Sequence, residues 1–443
     1  MHTNSLSVDG GRTRPTQHSA VVGGQPHVVI LGGGFAGLSA AGELEQSPVR
    51  VTLIDRANHH VFQPLLYQVA TAGLAPSDIS VPIRWRLRKQ ANVTVLLAEA
   101  THIDPHAQTV ALDGGVSQLA YDYLIVATGA RHAYFGHDEW EAHAPGLKSI
   151  EDAFEMRQRF LMAFELAEKS ESESERQALL TFVIVGGGPT GVELAGALAE
   201  IVKGALRRDF RRIDTRRARV LLVEAGPRIL STFPEKLSSV AQRNLETLGV
   251  EVRLGVPVTD IAESVVTVGT EQIRAGAIFW AAGNAASPLG TMLDATTDRS
   301  GRVQVSPDLS VPLHENVFVV GDLCTIARRD GTPVPAVAPT ANQTGAHAGR
   351  MIARSVARKP REAFVYFHKG DLATIGRHKA VSVFGRVTVT GYISWLLWVF
   401  VHLMYLVGFR NRVTVFVQWA YAYLTYQRGV RLIARTWKRD SAI

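Results

Sequence analysis

A short apolar strand, a glycine-rich turn and a helix occur in that order twice in this chain. No other feature restricts its fold as much. Val28–Leu31 runs into Gly32-Gly33-Gly34-Phe35-Ala36-Gly37, then a helical pattern of Leu38, Ala41 and Leu44, then a second apolar run ending at Asp55. Thr181–Val185 runs into Gly186-Gly187-Gly188-Pro189-Thr190-Gly191, then a helix with Val192, Ala195 and Leu198, then Arg219–Val223 ending at Glu224. Each copy has a later strand that ends in small residues. These are Tyr123–Val126 with Ala127-Thr128-Gly129, and Ala277–Trp280 with Ala281-Ala282-Gly283. Strands alternating with helices specify an α/β fold, and the repetition specifies two Rossmann-like units.

The spacing of the glycines has a chemical reason. The first (Gly32, Gly186) permits a tight bend. The second (Gly34, Gly188) lets the backbone approach a pyrophosphate. The third (Gly37, Gly191) lets the helix pack on its strand. The helix N-terminus then offers unpaired N–H groups and a partial positive charge to phosphate. Asp55, at the end of the next strand, is expected to accept from a ribose hydroxyl. Glu224 would bind the adenosine ribose diol and repel a 2′-phosphate, which favours NADH, whereas Arg228 close by is the residue that would favour NADPH. Two sites with different neighbours imply a flavin and a nicotinamide nucleotide. The first copy is expected to hold FAD, helped by Gly321-Asp322 at the end of a later strand and by Thr128 and Gly129. Gly283 belongs to the second site.

Composition narrows the chemistry. The single cysteine, Cys324, rules out an intrachain disulfide, a redox-active cysteine pair and a multi-cysteine metal or iron–sulfur centre. No metal site is expected. The net charge of +7 is concentrated at the C-terminus: seven basic residues from Arg410 onward face one acid, Asp440. They alternate with apolar aromatic stretches, which favours an anionic lipid surface over nucleic acid. Residues 1–24 are polar and read as a disordered tail without the apolar core of a signal peptide. Glu168–Gln177 reads as a solvated helix end or linker.

Gly391–Phe409 holds no charged residue over its length, and a second apolar stretch, Val413–Gln427, follows. Ser394, His402, Tyr392, Tyr405, Trp395 and Trp398 within the first suit a membrane interface better than a bilayer centre. Arg428, Arg431, Arg435 and Lys438 recur at helical spacing, with Leu432, Ile433 and Trp437 on the other face. The expectation is a monotopic attachment to the cytoplasmic face of the membrane, with a single C-terminal span as the alternative.

Four segments are more specific than the fingerprints: Phe62-Gln63-Pro64-Leu65-Leu66-Tyr67-Gln68-Val69-Ala70, Gly188 to Gly196, Gly376-Arg377-His378-Lys379-Ala380-Val381, and Leu406 to Arg412. In these the chain resembles the two-dinucleotide-binding flavoproteins, and among them the type II NADH dehydrogenases, which pass electrons to quinone without pumping protons. The resemblance runs from about residue 26 to the C-terminus. It implies noncovalent FAD, NADH as donor and a membrane quinone as acceptor. It also implies an FAD domain in two parts, 25–150 and 296–365, an inserted NADH domain at 151–295, and a membrane-anchoring, quinone-site region at 366–443. Glu193 matches a family position near flavin and substrates, and Lys379 one near the quinone. Many members carry glutamines in the loop 338–343 and four residues beyond; this chain has Asn342 and Ala346, and Asn342 still donates and accepts hydrogen bonds. A homodimer is compatible with the sequence. The competing readings are a soluble FAD-dependent reductase of a small redox protein, which has no use for the apolar tail, and a redox-sensing membrane scaffold, which steady-state NADH oxidation would exclude.

Overall fold

The computed structural model describes residues 17–18, 24–206, 209–328, 331–425 and 431–433. Apart from Gln17–His18 and Gly24, the expected N-terminal tail lies outside the described residues, as do Arg428, Arg435, Trp437 and Lys438. The chain forms two compact units. One comprises residues 1–58, 83–130 and 286–366, the other 59–82, 131–285 and 367–443.

The first unit is built on a six-stranded sheet. Its order is Ser310–Val311, His314–Val319, Tyr123–Val126, His27–Leu31, Arg50–Asp55 and Val93–Leu97. All neighbours are parallel except the short first strand, which returns antiparallel. The central strands are continuous runs of Val, Ile and Leu because both faces of the sheet are covered. One face packs on the helices Phe35–Glu43 and Ala338–Val356 through Val28, Ile30, Ile125 and Phe318. The other packs Val29, Leu31, Leu124 and Val317 on the antiparallel strands Ala100–Asp104, Thr109–Leu112 and Ser117–Ala120.

The second unit repeats the plan with a four-stranded parallel sheet, ordered Val250–Leu254, Arg219–Glu224, Thr181–Val185 and Ala277–Trp280. Pro189 opens the helix Pro189–Glu200, where its missing N–H costs nothing. Glu168–Gln177 contains the helix end that its sequence suggests, and more. The helix Ile150–Lys169 ends there, a short helix Glu173–Leu179 follows, and the Glu168 carboxylate accepts the backbone N–H groups of Arg211, Arg212 and Ile213. That contact ties down the arginine-rich segment which lengthens the second fingerprint.

The unit also holds an antiparallel sheet, Asp371–Thr374, Ala380–Phe384 and Val387–Thr390, and the helices Gly391–Tyr405 and Phe409–Thr425. The long uncharged stretch is therefore not one helix. It breaks at Leu406–Gly408, where Gly408 takes φ +91°. Fifteen residues rise only about 22 Å, short of a hydrocarbon core of about 30 Å. Among the described residues no helix is long and apolar enough to cross a membrane. The polar and aromatic residues of the stretch also have a use other than a lipid interface. The Ser394 hydroxyl lies 2.6 Å from that of Ser382, and Trp398 is 2% exposed against the sheet.

Candidate active site

In the first unit, three turns end adjacent parallel strands. They are Gly32–Gly37 after His27–Leu31, Ala127–Gly129 after Tyr123–Val126, and Gly321-Asp322 after His314–Val319. Ligands of such sheets bind outside the carboxyl ends of the strands. Gly32 takes φ +104°, and a Cβ on Gly37 would sit 1.8 Å from the Gly32 carbonyl oxygen. No side chain fits there, so Gly37→Ala should force the helix off its strand. The expected result is purified protein with little or no bound flavin, read from its visible absorption. A Cβ on Gly34, by contrast, meets nothing within 4 Å. Asp55 Oδ2 accepts the Gly33 N–H at 2.5 Å, and Oδ1 that of Ala57 at 2.7 Å. The Thr128 hydroxyl is buried with no hydrogen-bond partner. An open glycine backbone at a helix N-terminus and an orphaned hydroxyl one strand away fit the pyrophosphate region of FAD.

The second unit repeats this arrangement. Gly186 takes φ +111°, and a Cβ on Gly191 would lie 1.9 Å from the Gly186 oxygen, whereas Gly188 is open. Glu224 accepts the N–H groups of Gly187 at 2.6 Å and Gly226 at 2.7 Å. Gly283 takes φ +73° at the end of the neighbouring strand. Arg228 donates to the Phe233 carbonyl and the Ser238 hydroxyl through one guanidinium nitrogen and to the Ser231 carbonyl through the other. Its own loop thus occupies it, which leaves Glu224 as the charged group at the strand end. Glu224→Gln should lower the NADH-over-NADPH preference about tenfold or more, the value of a charge-assisted hydrogen bond at roughly 1.5–3 kcal/mol. Unchanged ratios of kcat/KM would remove Glu224 as the reader.

A cavity of about 140 Å³ lies elsewhere in the second unit. It is lined by Tyr67 and Gln68, by Glu193, Ala197 and Glu200 of one helix face, by Thr374, Gly376 and Arg377, and by Trp395, Trp398 and Trp419 of the C-terminal helices. The helix Pro189–Glu200 continues into a π turn, Ile201–Ala205, whose Gly204 and Ala205 also reach the cavity. The wall is cross-linked. The Trp419 indole N–H donates to Gln68 Oε1 at 2.8 Å, and the Gln68 amide donates to the Tyr67 hydroxyl at 3.0 Å. Trp398 stacks on His402 at 4.1 Å and packs on Trp419 at 5.4 Å. His402 Nδ1 donates to the Trp398 carbonyl at 2.7 Å, and burial lowers its pKa to about 4, so the ring is neutral.

Glu193 is a half-buried ionisable group of this cavity. Burial pushes its carboxyl up to about 8, against a lowering by the Thr374 backbone N–H at 3.3 Å and by the nearby Trp398 indole. The Trp398 indole N–H is buried with no hydrogen-bond partner. Lys379 lies in the turn that supplies Gly376 and Arg377, but it does not line the cavity. Asn342 is in the first unit, on the helix Ala338–Val356, where its carbonyl oxygen accepts the Ser39 hydroxyl at 3.0 Å. Gln68, Thr374 and the three tryptophans are site residues that the sequence reading left out. Gln68 lies within one of the specific segments of the sequence, and Trp395 and Trp398 suit a membrane interface by composition alone. Cys324 is buried and its thiol is pushed up to about 12, so it is no redox group.

The family model of the pyridine nucleotide-disulphide oxidoreductases matches residues 26–345, and that of the NDH2 C-terminal domain matches 368–427. A type II NADH:quinone oxidoreductase of Mycobacterium tuberculosis is 46% identical over 416 residues, covering 91% of this chain and 89% of that protein. The chain belongs to the type II NADH:quinone oxidoreductases. A mitochondrial internal alternative NAD(P)H-ubiquinone oxidoreductase of Arabidopsis thaliana is 29% identical over 90% of this chain and 84% of its own length. Among solved structures, NDH2 of Plasmodium falciparum in complex with NADH has the same fold. Its TM-score is 0.83 at 20% identity, over 92% of this chain and 99% of that one. Type II enzymes share this fold with the sulfide:quinone oxidoreductase of Aquifex aeolicus, at a TM-score of 0.70 and 20% identity over 87% of this chain and 92% of that one. The single cysteine separates the type II chain from chemistry that needs a cysteine pair.

Proposed function

We propose that this enzyme oxidises NADH at the second glycine-rich turn, carries the electrons through FAD held at the first, and reduces a membrane quinone that enters the cavity beside Glu193. Bound FAD supplies the redox chemistry, taking hydride from NADH and returning two electrons to quinone. The acceptor side rests on the half-buried Glu193, its carboxyl pushed up to about 8, at a cavity walled by indoles. Reduction of a quinone to a quinol takes up two protons with the two electrons. A neutral carboxyl beside a quinone oxygen donates one of them and is reloaded from solvent. The indole rings offer flat apolar faces to a quinone head. Lys379 does not line the cavity, but it lies on the turn that supplies Gly376 and Arg377 and adds positive charge on the side of the molecule that receives the electrons. The family resemblance assigns Asn342, on the helix Ala338–Val356, a hydrogen-bonding role on the acceptor side.

Quinone arrives from the acyl layer. The helices Gly391–Tyr405 and Phe409–Thr425 lie on the cytoplasmic leaflet, and anionic headgroups attract the basic residues near them. Exposed Ile393, Phe400, Phe409, Phe416 and Leu424 support this attachment. Arg431 does not contribute its charge to lipid. It donates to the Ala205 carbonyl at 2.8 Å and pairs with Asp209.

Stopped-flow measurement of the two half-reactions tests the assignment. Lys379→Ala and Asn342→Ala should each slow quinone reduction by about tenfold, the loss of one charge-assisted or well-placed polar contact. Reduction of the flavin by NADH should stay within about twofold. Equal slowing of both half-reactions would move the two residues away from the acceptor.

A further inference from the structure

Two histidines and an aspartate meet on the first unit, at the opposite end of the strand His314–Val319 from Gly321-Asp322. His106 lies in the turn between Ala100–Asp104 and Thr109–Leu112. Asp294 follows the helical turn Pro288–Met292, and His314 opens its strand. His106 Nε2 is 3.0 Å from Asp294 Oδ2, and His314 Nε2 is 3.5 Å from the same oxygen. The three atoms all lie within 4.8 Å of one another. The two imidazole planes cross at 78° with centroids 4.9 Å apart, so the rings converge edge to face rather than stack.

His314 is the informative member. Its side chain is 9% exposed, and its Nε2 is buried with no hydrogen-bond partner. A buried ring nitrogen without a partner is costly, because it has given up water and gained nothing. It faces a carboxylate oxygen just beyond hydrogen-bond reach, and that oxygen also faces His106. A single cation within reach of all three would partner that nitrogen and share the carboxylate.

We propose that His106, Asp294 and His314 bind one divalent cation of the zinc type. Ligands at about 2.0–2.2 Å from a tetrahedral ion stand roughly 3.3 Å apart, and the separations of 3.0 and 3.5 Å bracket that value. Two imidazoles and one carboxylate suit zinc and its first-row neighbours, whereas magnesium and calcium take oxygen ligands. Three protein ligands leave the fourth position to water. The ion enters from solvent, since the His106 and Asp294 side chains are 78% and 52% exposed. Bound there, it ties a hairpin turn, a loop and the start of a sheet strand together. It therefore acts as a structural clamp on the FAD unit and takes no part in electron transfer. No spacing motif announces the site, because its three residues come from three separate segments.

The test uses full-length, FAD-loaded enzyme without an affinity tag, stripped of metal with a chelator and titrated calorimetrically with zinc chloride. One ion per chain should bind, and magnesium chloride should give no binding heat. The double variant His106→Ala/Asp294→Asn, altered only at exposed side chains, should bind zinc at least about 100-fold more weakly, beyond the 10- to 100-fold that outer-shell changes cost. It should keep its flavin content and its NADH oxidation. Zinc should raise the unfolding temperature of the wild type by a few degrees and leave that of the double variant unchanged. His314→Gln should also lose the site, but the buried position makes the double variant the deciding one. Equal zinc binding by wild type and double variant would overturn the proposal, as would a wild type that binds no zinc or binds magnesium as well.

Discussion

Glu193→Gln should remove the alkaline limb of quinone reduction and slow that half-reaction by about 100-fold at pH 7, the lower end of what a positioned proton donor contributes. The Glu193 carboxyl titrates near 8 because burial disfavours its charged form, and the Thr374 N–H recovers only part of that cost. At pH 7 it is mostly neutral and holds the proton that a quinone oxygen needs. In the wild type, quinone reduction should fall as pH rises through about 8, by up to tenfold per unit. The glutamine keeps the shape of the side chain but has no acidic proton, so its rate should be low and flat between pH 6 and 9. Flavin reduction by NADH should be unaffected, because hydride transfer requires no carboxyl.

Stability should move in a linked way. A carboxyl with a folded pKa above its unfolded value binds more protons in the folded state. Its contribution is fully present below about 4.5, declines as pH rises, and is gone once the carboxyl ionises above about 8. The glutamine variant carries no such term, so its unfolding temperature relative to wild type should improve from pH 5 to about pH 8 and level off above that. A variant that keeps the wild-type alkaline limb would assign that limb to another group.

The nucleotide turns were legible in the sequence because they are local. Three glycines within six residues, a preceding strand and a following helix all lie in one segment, and the carboxylates Asp55 and Glu224 each end the next strand of their own sheet. The cavity beside Glu193 was not legible as a whole. It joins Gln68, Glu193, Thr374 and Trp419 from four distant segments, and only their packing makes one wall of them. Arg228 stood within reach of Glu224 by spacing, yet its hydrogen bonds to Phe233, Ser231 and Ser238 turn it back onto its own loop. The C-terminal stretch read as one apolar block because composition does not mark where a helix ends. The break at Leu406–Gly408 and the buried hydroxyl pair of Ser382 and Ser394 depend on the sheet beneath.

That packing also determines how membrane attachment has to be tested. Deletion from Gly391 onward would remove Trp398 from the core and Trp419 from the cavity along with the lipid-facing residues. Any loss of quinone activity would then have two causes. Substituting only the outer stripe separates them. Ile393, Leu396, Phe400 and Met404 recur at three- and four-residue steps on the first helix, and Phe409, Val413, Phe416, Val417, Tyr421 and Leu424 on the second. That spacing puts each set on one helical face. Phe409 is 82% exposed and Leu424 78%, so these side chains contribute little to the folded core. A large apolar side chain that leaves water contributes roughly 1.5–3 kcal/mol. Replacing Ile393, Phe400, Phe409 and Phe416 with serine removes roughly 6–12 kcal/mol at full burial, and at least on the order of 5 kcal/mol of lipid partitioning once the part already covered by protein is discounted. At about 1.4 kcal/mol per factor of ten, that lowers the partition coefficient by more than about 1000-fold. The quadruple variant should appear in the soluble fraction of lysed cells with full flavin content. It should reduce a short-chain, water-soluble quinone at near the wild-type rate and a long-tailed quinone in vesicles poorly. High salt alone should leave the wild type on the membrane, because apolar burial is not screened. A quadruple variant that stays membrane-bound and is released by salt instead would transfer the attachment from the apolar stripe to the basic residues.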